Sequence, residues 1–159
     1  MRMGQGVEWV LHSCLNLAWA GEAVPATRLA GIYELPSAYL NKQLQALVRA
    51  GVLTSVPGPR GGFRLDRAPE EVSLLDVVVA LEGSEDAFRC TRILRHGPGG
   101  DPDVDYRDHC AISLSMRRAE LAWRKELASR TIADVARDVE RTNPDAPQRV
   151  RAALLGGPS

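Results

Sequence analysis

The chain has 159 residues, 45% of them hydrophobic, and a formal net charge of zero. This length and composition predict one globular unit with a single core and an extended arm, which excludes an array of domains. No stretch approaches the ~18 consecutive apolar residues of a membrane span, and the N-terminus lacks the charged and apolar regions of a secretory signal. We therefore expect a cytoplasmic protein with no membrane partner.

The first predicted helix begins with the segment VEWVLHSC at residues 7–14. Glu8 and His12 are four residues apart, so their side chains lie on one helical face. The same spacing is also found on an ordinary solvent-exposed helix face, so the pattern alone leaves both interpretations open. Cys14 falls on the apolar stripe of the same helix. We expect it to be a buried small hydrophobic residue.

Two helices separated by the turn ELPS are predicted next, the second being SAYLNKQLQALVRAG. Ser37 is expected to cap this second helix, leucines form its apolar stripe, and Gly51 ends it. Its outward face carries amide and basic side chains, which suit base edges and phosphates in a DNA major groove, although an ordinary amphipathic surface helix shows the same pattern. The outward residues are Ala38, Asn41, Lys42, Gln45 and Arg49.

A Pro/Gly hairpin follows in the segment VLTSVPGPRGGFRLDRA. Two short β-type runs around its tip predict the wing of a winged helix-turn-helix. Residues 28–67 contain six basic and only two acidic residues, an excess that favours a phosphate-facing surface. The glycines at the tip would let the backbone approach DNA. The predicted DNA-contacting residues are Arg28, Ser37, Tyr39, Asn41, Lys42, Gln45, Arg49, Arg60, Gly61, Gly62 and Arg64.

The second half of the chain contains a loop between further helices. The segment VSLLDVVVALEG predicts a helix capped by Ser73. Residues 84–109 are rich in Gly, Pro and Asp and predict a flexible loop. Asp108 is expected to cap a long helix whose composition suits packing on a second copy, and Thr131 with Asp134 begins a last helix.

The predicted fold is therefore mainly α-helical with a small β wing, a winged helix-turn-helix joined to a long dimerisation helix. The DNA-binding domain is expected over residues 1–83 and the cysteine-bearing loop over 84–109. The dimerisation helix is expected over 110–130, a C-terminal helix that packs back on the domain over 131–140, and a poorly ordered tail over 141–159.

The three cysteines are an odd number at wide spacing, which argues against a disulfide framework. Cys90 and Cys110 bracket the loop, and from the sequence alone they are free thiols, metal ligands or a redox switch. Cys110 lies in the first turn of the predicted long helix, where backbone N–H groups favour a thiolate over a thiol.

The order of these elements resembles the IscR and NsrR type of winged-helix regulators. The resemblance rests on ATRLAGIYELPSAYLNKQLQALVRAGVLTSVPGPRGGFRL, then on PEEVSLLDVVVALEG and TIADV, and it spans about residues 5–140. Many relatives are dimers that hold an iron–sulfur cluster. The resemblance thus implies a homodimer that binds double-stranded DNA at a pseudo-palindromic operator.

A [2Fe-2S] cluster is the cofactor that the resemblance implies. Many relatives have three cysteines in the loop and this chain has two, so Cys90 and Cys110 need two further ligands. In NsrR-like relatives a carboxylate on the first helix of the opposite subunit completes the site, and Glu8 aligns with it. His12 lies one turn further on. We therefore expect Glu8 and His12 to come from the partner subunit.

Two histidines near the cysteines are alternative ligands. His96 lies within the loop, and His109 adjoins Cys110. Trp9, beside the predicted ligands on the first helix, is a candidate relay of redox changes to the DNA-binding helices, with an ordinary interface aromatic as the alternative.

The function expected from these features is regulation of transcription by redox sensing, with operator binding controlled by the oxidation state or loss of the cluster. One alternative is a cluster-free regulator that switches by oxidation of Cys90 and Cys110 or by binding zinc. Another is sensing of nitric oxide through the cluster. No nucleophile and base pairing and no phosphate-binding loop is present in the sequence, so an enzyme is not expected.

Overall fold

The structure is a computed structural model that describes residues 3–101 and 103–156, without the side chains at 107 and 108. The predicted helix cap Asp108 therefore lies outside the described side chains. The first half contains the helices α1 (Gln5–Ala20), α2 (Ala26–Gly31) and α3 (Ser37–Arg49), the strands β1 (Leu53–Val56) and β2 (Gly62–Leu65), and helix α4 (Leu74–Glu82). The second half contains α5 (Tyr106–His109), α6 (Ala111–Ser129), α7 (Ile132–Thr142) and α8 (Ala146–Leu155). Short 3-10 turns occupy Pro69–Glu71 and Ile93–His96.

The core lies between α1, α2 and α3. The predicted leucine stripe of α3, Leu40, Leu44 and Leu47, is fully buried against residues of α1 and α2 such as Val10 and Leu29. Side chains spaced by three and four residues share one helical face, so the stripe orients α3 with its polar face outward. The mainly α-helical fold with a small wing is thus confirmed.

The wing is a two-stranded antiparallel sheet in which Leu53 pairs with Leu65 and Val56 with Gly62. It is attached to the rest of the domain by a bridge between Val24 and Phe63, whose backbone N–H groups each donate to the other's carbonyl at 2.9 Å. This bridge fixes the wing beside the end of α1.

Helices α4 and α7 begin side by side, with the predicted cap Ser73 at α4 and the predicted Thr131 and Asp134 pair at α7, and both starts are capping boxes. Ser73 and Asp76 exchange side-chain to backbone hydrogen bonds at the start of α4, and Thr131 and Asp134 do so at the start of α7. Bonds from the Thr131 backbone and hydroxyl hold the pKa of Asp134 below its usual value. A backbone bridge between Ser73 and Thr131 joins the two helix starts.

The prediction of a last helix ending near residue 140 with a poorly ordered tail is wrong. Helix α7 extends to Thr142, and α8 packs on α1 with Leu154 fully buried. Arg151 donates to the Trp19 carbonyl at 2.8 Å from Nη2. Pro147 lies in the first turn of α8, where proline is compatible with a helix. Its presence was therefore no reason to predict an irregular tail.

The long helix predicted over 110–130 is present as α6, most of its side chains are exposed, and its packing on a second copy stays a prediction. Among its described residues only Ser113 is buried, while Ile112 and Leu121 are each 68% exposed. Its N-cap is Cys110, preceded by α5 in place of an irregular loop end. Across residues 3–101 and 103–156, no helix is both long and apolar enough to cross a membrane.

Candidate nucleic-acid interface and candidate metal ligands

The polar face of α3 is open to solvent. Tyr39, Asn41, Lys42 and Arg49 are exposed, and Gln45 is half-buried. The N-cap of α3 is Pro36 with no side-chain cap bond, so Ser37, predicted to be the cap, is instead the first helical residue. An exposed helix face with amide and basic groups has the chemistry that reads base edges and binds phosphates.

The wing presents two arginines beside this helix. Arg60 and Arg64 are exposed, as a phosphate or minor-groove contact requires. The fold of the wing requires glycine at positions 61 and 62, because an added Cβ at either position would clash with backbone atoms. At Gly61 it would lie 2.1 Å from the Val56 carbonyl oxygen. The conformation of the wing therefore accounts for both glycines, and their contact with DNA stays a prediction.

Arg28 is engaged within the chain. Its Nη1 donates to the carbonyl oxygen of Leu154 at 2.6 Å and to that of Gly156 at 3.2 Å, at the C-terminal end of α8. Carbonyls at a helix end lack partners within the helix, and a guanidinium satisfies them well. The sequence missed this role because α8 was not predicted, and the contact of Arg28 with DNA stays a prediction.

Glu8 and His12 lie one turn apart on α1, and both are exposed. The His12 ring lies against the Tyr33 ring, with centroids 5.7 Å apart and planes tilted by 58°. Next to His12 is an open apolar groove between α1, α4 and α7. Its lining residues are Leu11, His12, Leu15, Leu74, Ile132 and Val135.

The three cysteines have different environments. Cys14 is fully buried, and burial raises the pKa of its thiol to about 12, so it stays a protonated, unreactive thiol as the sequence predicted. Cys90 is exposed, and Cys110 is half-buried. Cys110 is the N-cap of α6, and its side chain makes no capping hydrogen bond.

The four predicted ligands do not meet in one chain. Among the residues that the structure describes, no group of three or more His, Cys, Asp and Glu side chains is placed to hold a metal ion. The two alternative histidines do not form a metal-binding group with the cysteines among these residues either. The Nδ1 atom of His109 lies 3.0 Å from the Asp105 carbonyl oxygen, and His96 is exposed on a 3-10 turn. One chain therefore offers an imidazole and a carboxylate on α1 and thiols elsewhere.

Aromatic residues connect α1 to α3. Trp9 contacts Tyr39 of α3 edge to face, with ring centroids 5.5 Å apart. The sequence did not identify a second link, in which Asn16 Nδ2 donates to the Tyr33 hydroxyl at 2.9 Å. The available signal was an amide at position 16 in an otherwise apolar segment, four residues after His12.

The Rrf2 family model, described as an iron-dependent transcriptional regulator, matches residues 3–138. The chain is 34% identical over 103 residues to the HTH-type transcriptional regulator IscR of Aliivibrio salmonicida, covering 63% of this chain and 58% of that protein. Its fold is similar to CymR, the global cysteine regulator of B. subtilis, with TM-score 0.67, 20% identity, and 86% and 96% of the two chains covered. IscR of T. potens gives TM-score 0.66, 20% identity, and coverage of 90% and 91%. These two structures share the fold.

Proposed function

This chain belongs to the Rrf2 family, and from that premise we propose that it is a homodimeric redox sensor whose operator binding is controlled by a [2Fe-2S] cluster held between its subunits. Membership makes the protein a DNA-binding transcriptional regulator of winged-helix type and not an enzyme, as the sequence predicted. The cluster, its ligands, the dimer and the redox response are the content of the proposal.

The separation of the ligands within one chain carries the proposal. Glu8 and His12 face solvent together on α1, while the thiols of Cys90 and Cys110 belong to the loop and to the start of α6. A second copy that lays its loop and α6 against α1 would bring all four ligands together. The site is then incomplete in each chain and complete in a dimer.

Exposed apolar side chains beside the cysteines support such a dimer. Ile93 is three residues after Cys90 and 78% exposed, and Ile112 is two residues after Cys110 and 68% exposed. An apolar groove adjoins His12 on α1. Large apolar side chains left in water favour association, so covering them with a second copy stabilises the arrangement that joins the ligands.

The donor set fits a two-iron cluster. Thiolates bind iron–sulfur clusters, and nitrogen ligands replace two of them on one iron in some [2Fe-2S] centres. When bound, such a cluster supplies reversible one-electron redox chemistry. Cys90 and Cys110 would hold one side of it, and Glu8 and His12 of the partner chain the other. Replacing two thiolates by a carboxylate and an imidazole raises the reduction potential.

A cluster-free regulator is the second candidate function. Cys90 is an exposed free thiol and Cys110 a half-buried one, and such a pair would switch by oxidation or by binding zinc. Colour distinguishes the cluster-free regulator from the cluster-bearing one, because zinc sites and disulfides do not absorb visible light and iron–sulfur clusters do.

Nitric oxide, in place of a redox change, is the alternative signal for a protein that does hold the cluster.

The visible spectrum of anaerobically purified protein tests the cluster. We expect wild-type protein to be coloured and to bleach reversibly with dithionite, and Cys90→Ala and Cys110→Ala to lose the chromophore because each removes a ligand. Cys14→Ala is the matched control and should keep the colour, since Cys14 is buried in the core. Colourless wild-type protein under these conditions would leave the thiol or zinc regulator as the better account.

Substitutions on α3 test the DNA interface with a short duplex selected by the wild-type protein from a random pool. Asn41→Ala should weaken binding to the selected duplex by about 1–3 kcal/mol and leave binding to unrelated duplexes unchanged. Lys42→Ala should weaken both and lower the salt dependence, because a phosphate contact is independent of sequence.

The matched control for these substitutions is Gln148→Ala, an exposed change on α8. Its affinity for both duplexes should equal that of the wild type. Wild-type affinity of Asn41→Ala and Lys42→Ala for both duplexes would place the interface elsewhere.

A further inference from the structure

Tyr33 lies in the turn between the two helices of the helix-turn-helix. The turn is closed by backbone bonds from Tyr33 N and Leu35 N to the Ala30 carbonyl, at 3.2 and 2.9 Å. Glu34 has φ of 54°, a left-handed conformation that residues other than glycine adopt only when their surroundings hold them there. The direction in which the chain enters α3 therefore depends on what fixes this turn.

Helix α1 contacts Tyr33 at both ends of its side chain. Asn16, which is 1% exposed, donates from Nδ2 to the Tyr33 hydroxyl at 2.9 Å. The His12 ring, one turn earlier on α1, packs on the Tyr33 ring. Residue Tyr33 is 41% exposed, so burial alone does not hold its side chain in place. A buried amide requires a hydrogen-bond partner, which makes the Asn16 bond the tether of the turn.

We infer that Tyr33 is a positioning residue for DNA binding: its hydroxyl fixes the turn before α3 to Asn16, and its ring, held in place by that bond, passes the state of His12 to the turn. The first part rests on the contacts of Tyr33 alone. The second part rests on the proposed function, because it requires His12 to be a cluster ligand. A ligand bound at His12 would fix the imidazole against which the Tyr33 ring packs, and thereby the entry into α3.

This link differs from the contact between Trp9 and Tyr39. That contact joins two rings on the surfaces of α1 and α3 and leaves the turn free. The Tyr33 link acts on the turn itself. The directional hydrogen bond from Asn16 fixes the hydroxyl end of the side chain, so a change at His12 that shifts the ring alters the turn and the entry into α3. Removing the hydroxyl should release the turn from Asn16 while the packing of the Tyr33 ring on His12 is kept.

Tyr33→Phe removes the hydroxyl and keeps the ring. In cluster-free protein, hydrogen exchange measured by mass spectrometry should be at least about threefold faster in the variant for the amides of residues 33–41 and unchanged in α8. Tyr106→Phe is the control, because it also removes a hydrogen-bonded hydroxyl, one that accepts from the backbone N–H of Asp101, and it lies on α5, away from the turn. Wild-type exchange of residues 33–41 in Tyr33→Phe would overturn the positioning role.

The coupling to His12 is measured as the ratio of duplex affinities with and without the cluster, using the duplex selected by the wild type. We expect a wild-type ratio of about fivefold or more and a Tyr33→Phe ratio within about twofold of one, with an unchanged visible spectrum. If Tyr33 had only a structural role, Tyr33→Phe would change the duplex affinity by the same factor with and without the cluster. The ratio would then equal that of the wild type, and this result would overturn the coupling. Colourless wild-type protein would contradict the proposed function and the coupling together, and the exchange result on cluster-free protein would still decide the positioning role.

Discussion

Gly62→Ala is expected to destabilise the protein by about 3 kcal/mol or more and to abolish tight DNA binding. Gly62 has φ of 143°, a conformation that L side chains rarely adopt, and an added Cβ would lie 2.2 Å from the Val24 carbonyl carbon. The atoms that an added Cβ meets are backbone, and the adjacent bridge between Val24 and Phe63 keeps the two segments at this distance. The wing must therefore separate from the domain, and Arg60 and Arg64 lose their placement.

Urea unfolding and duplex binding measure these two effects. Gly31→Ala is the control, because Gly31 ends α2 with no atom within 4 Å of an added Cβ. Its stability should equal or exceed that of the wild type, since alanine favours helix over glycine. A Gly62→Ala variant as stable as wild type would show that β2 does not pack against Val24 as described.

Leu154→Ala is expected to destabilise the protein by about 2–5 kcal/mol. Leu154 is fully buried in the same core as the leucines of α3, although it lies only five residues from the end of the chain. Truncation removes apolar contacts and leaves a cavity beside α1. It also loosens the end of α8, to which Arg28 is bound.

Thermal or urea unfolding checks this second effect. The control is Gln148→Ala, which is exposed on the same helix and should change stability by no more than about 0.5 kcal/mol. Equal stability of the two variants would contradict the packing of α8 on the core. A large difference would locate a stabilising element in a segment that the sequence predicted to be poorly ordered.

Local patterns were sufficient to predict most of the DNA-binding unit. The leucine spacing of α3 determines which face is buried, and the Pro/Gly tip between two β-type runs determines the hairpin. The capping residues Ser73 and Thr131 each interact with a carboxylate three residues later, so each helix start is encoded within four residues.

Contacts between distant segments could not be predicted in this way. The burial of α8 depends on the surface of α1, more than a hundred residues earlier, and so does the role of Arg28. Gly62 was predicted to approach DNA, whereas its constraint comes from Val24. The Asn16 to Tyr33 bond joins α1 to a turn that the sequence marks only by its residue types.

The candidate metal site shows a second limit of prediction from sequence. Residue types identify Cys90 and Cys110 as possible ligands, but spacing alone left thiol, zinc and cluster open. The assignment of Glu8 and His12 came from resemblance to a family. The structure adds that these side chains are exposed and do not meet the cysteines in one chain. The question to test is therefore which subunit supplies each ligand.

A mixed dimer answers that question most directly. One protomer carries Cys90→Ala and Cys110→Ala, its partner carries Glu8→Ala and His12→Ala, and different affinity tags isolate the mixed dimer after co-expression. Ligation across the subunits leaves one complete site, because the intact cysteines of one protomer face the intact Glu8 and His12 of the other. Our account predicts half the iron and half the visible absorbance of the wild-type dimer, with neither variant homodimer coloured. A colourless mixed dimer beside a coloured wild type would contradict it.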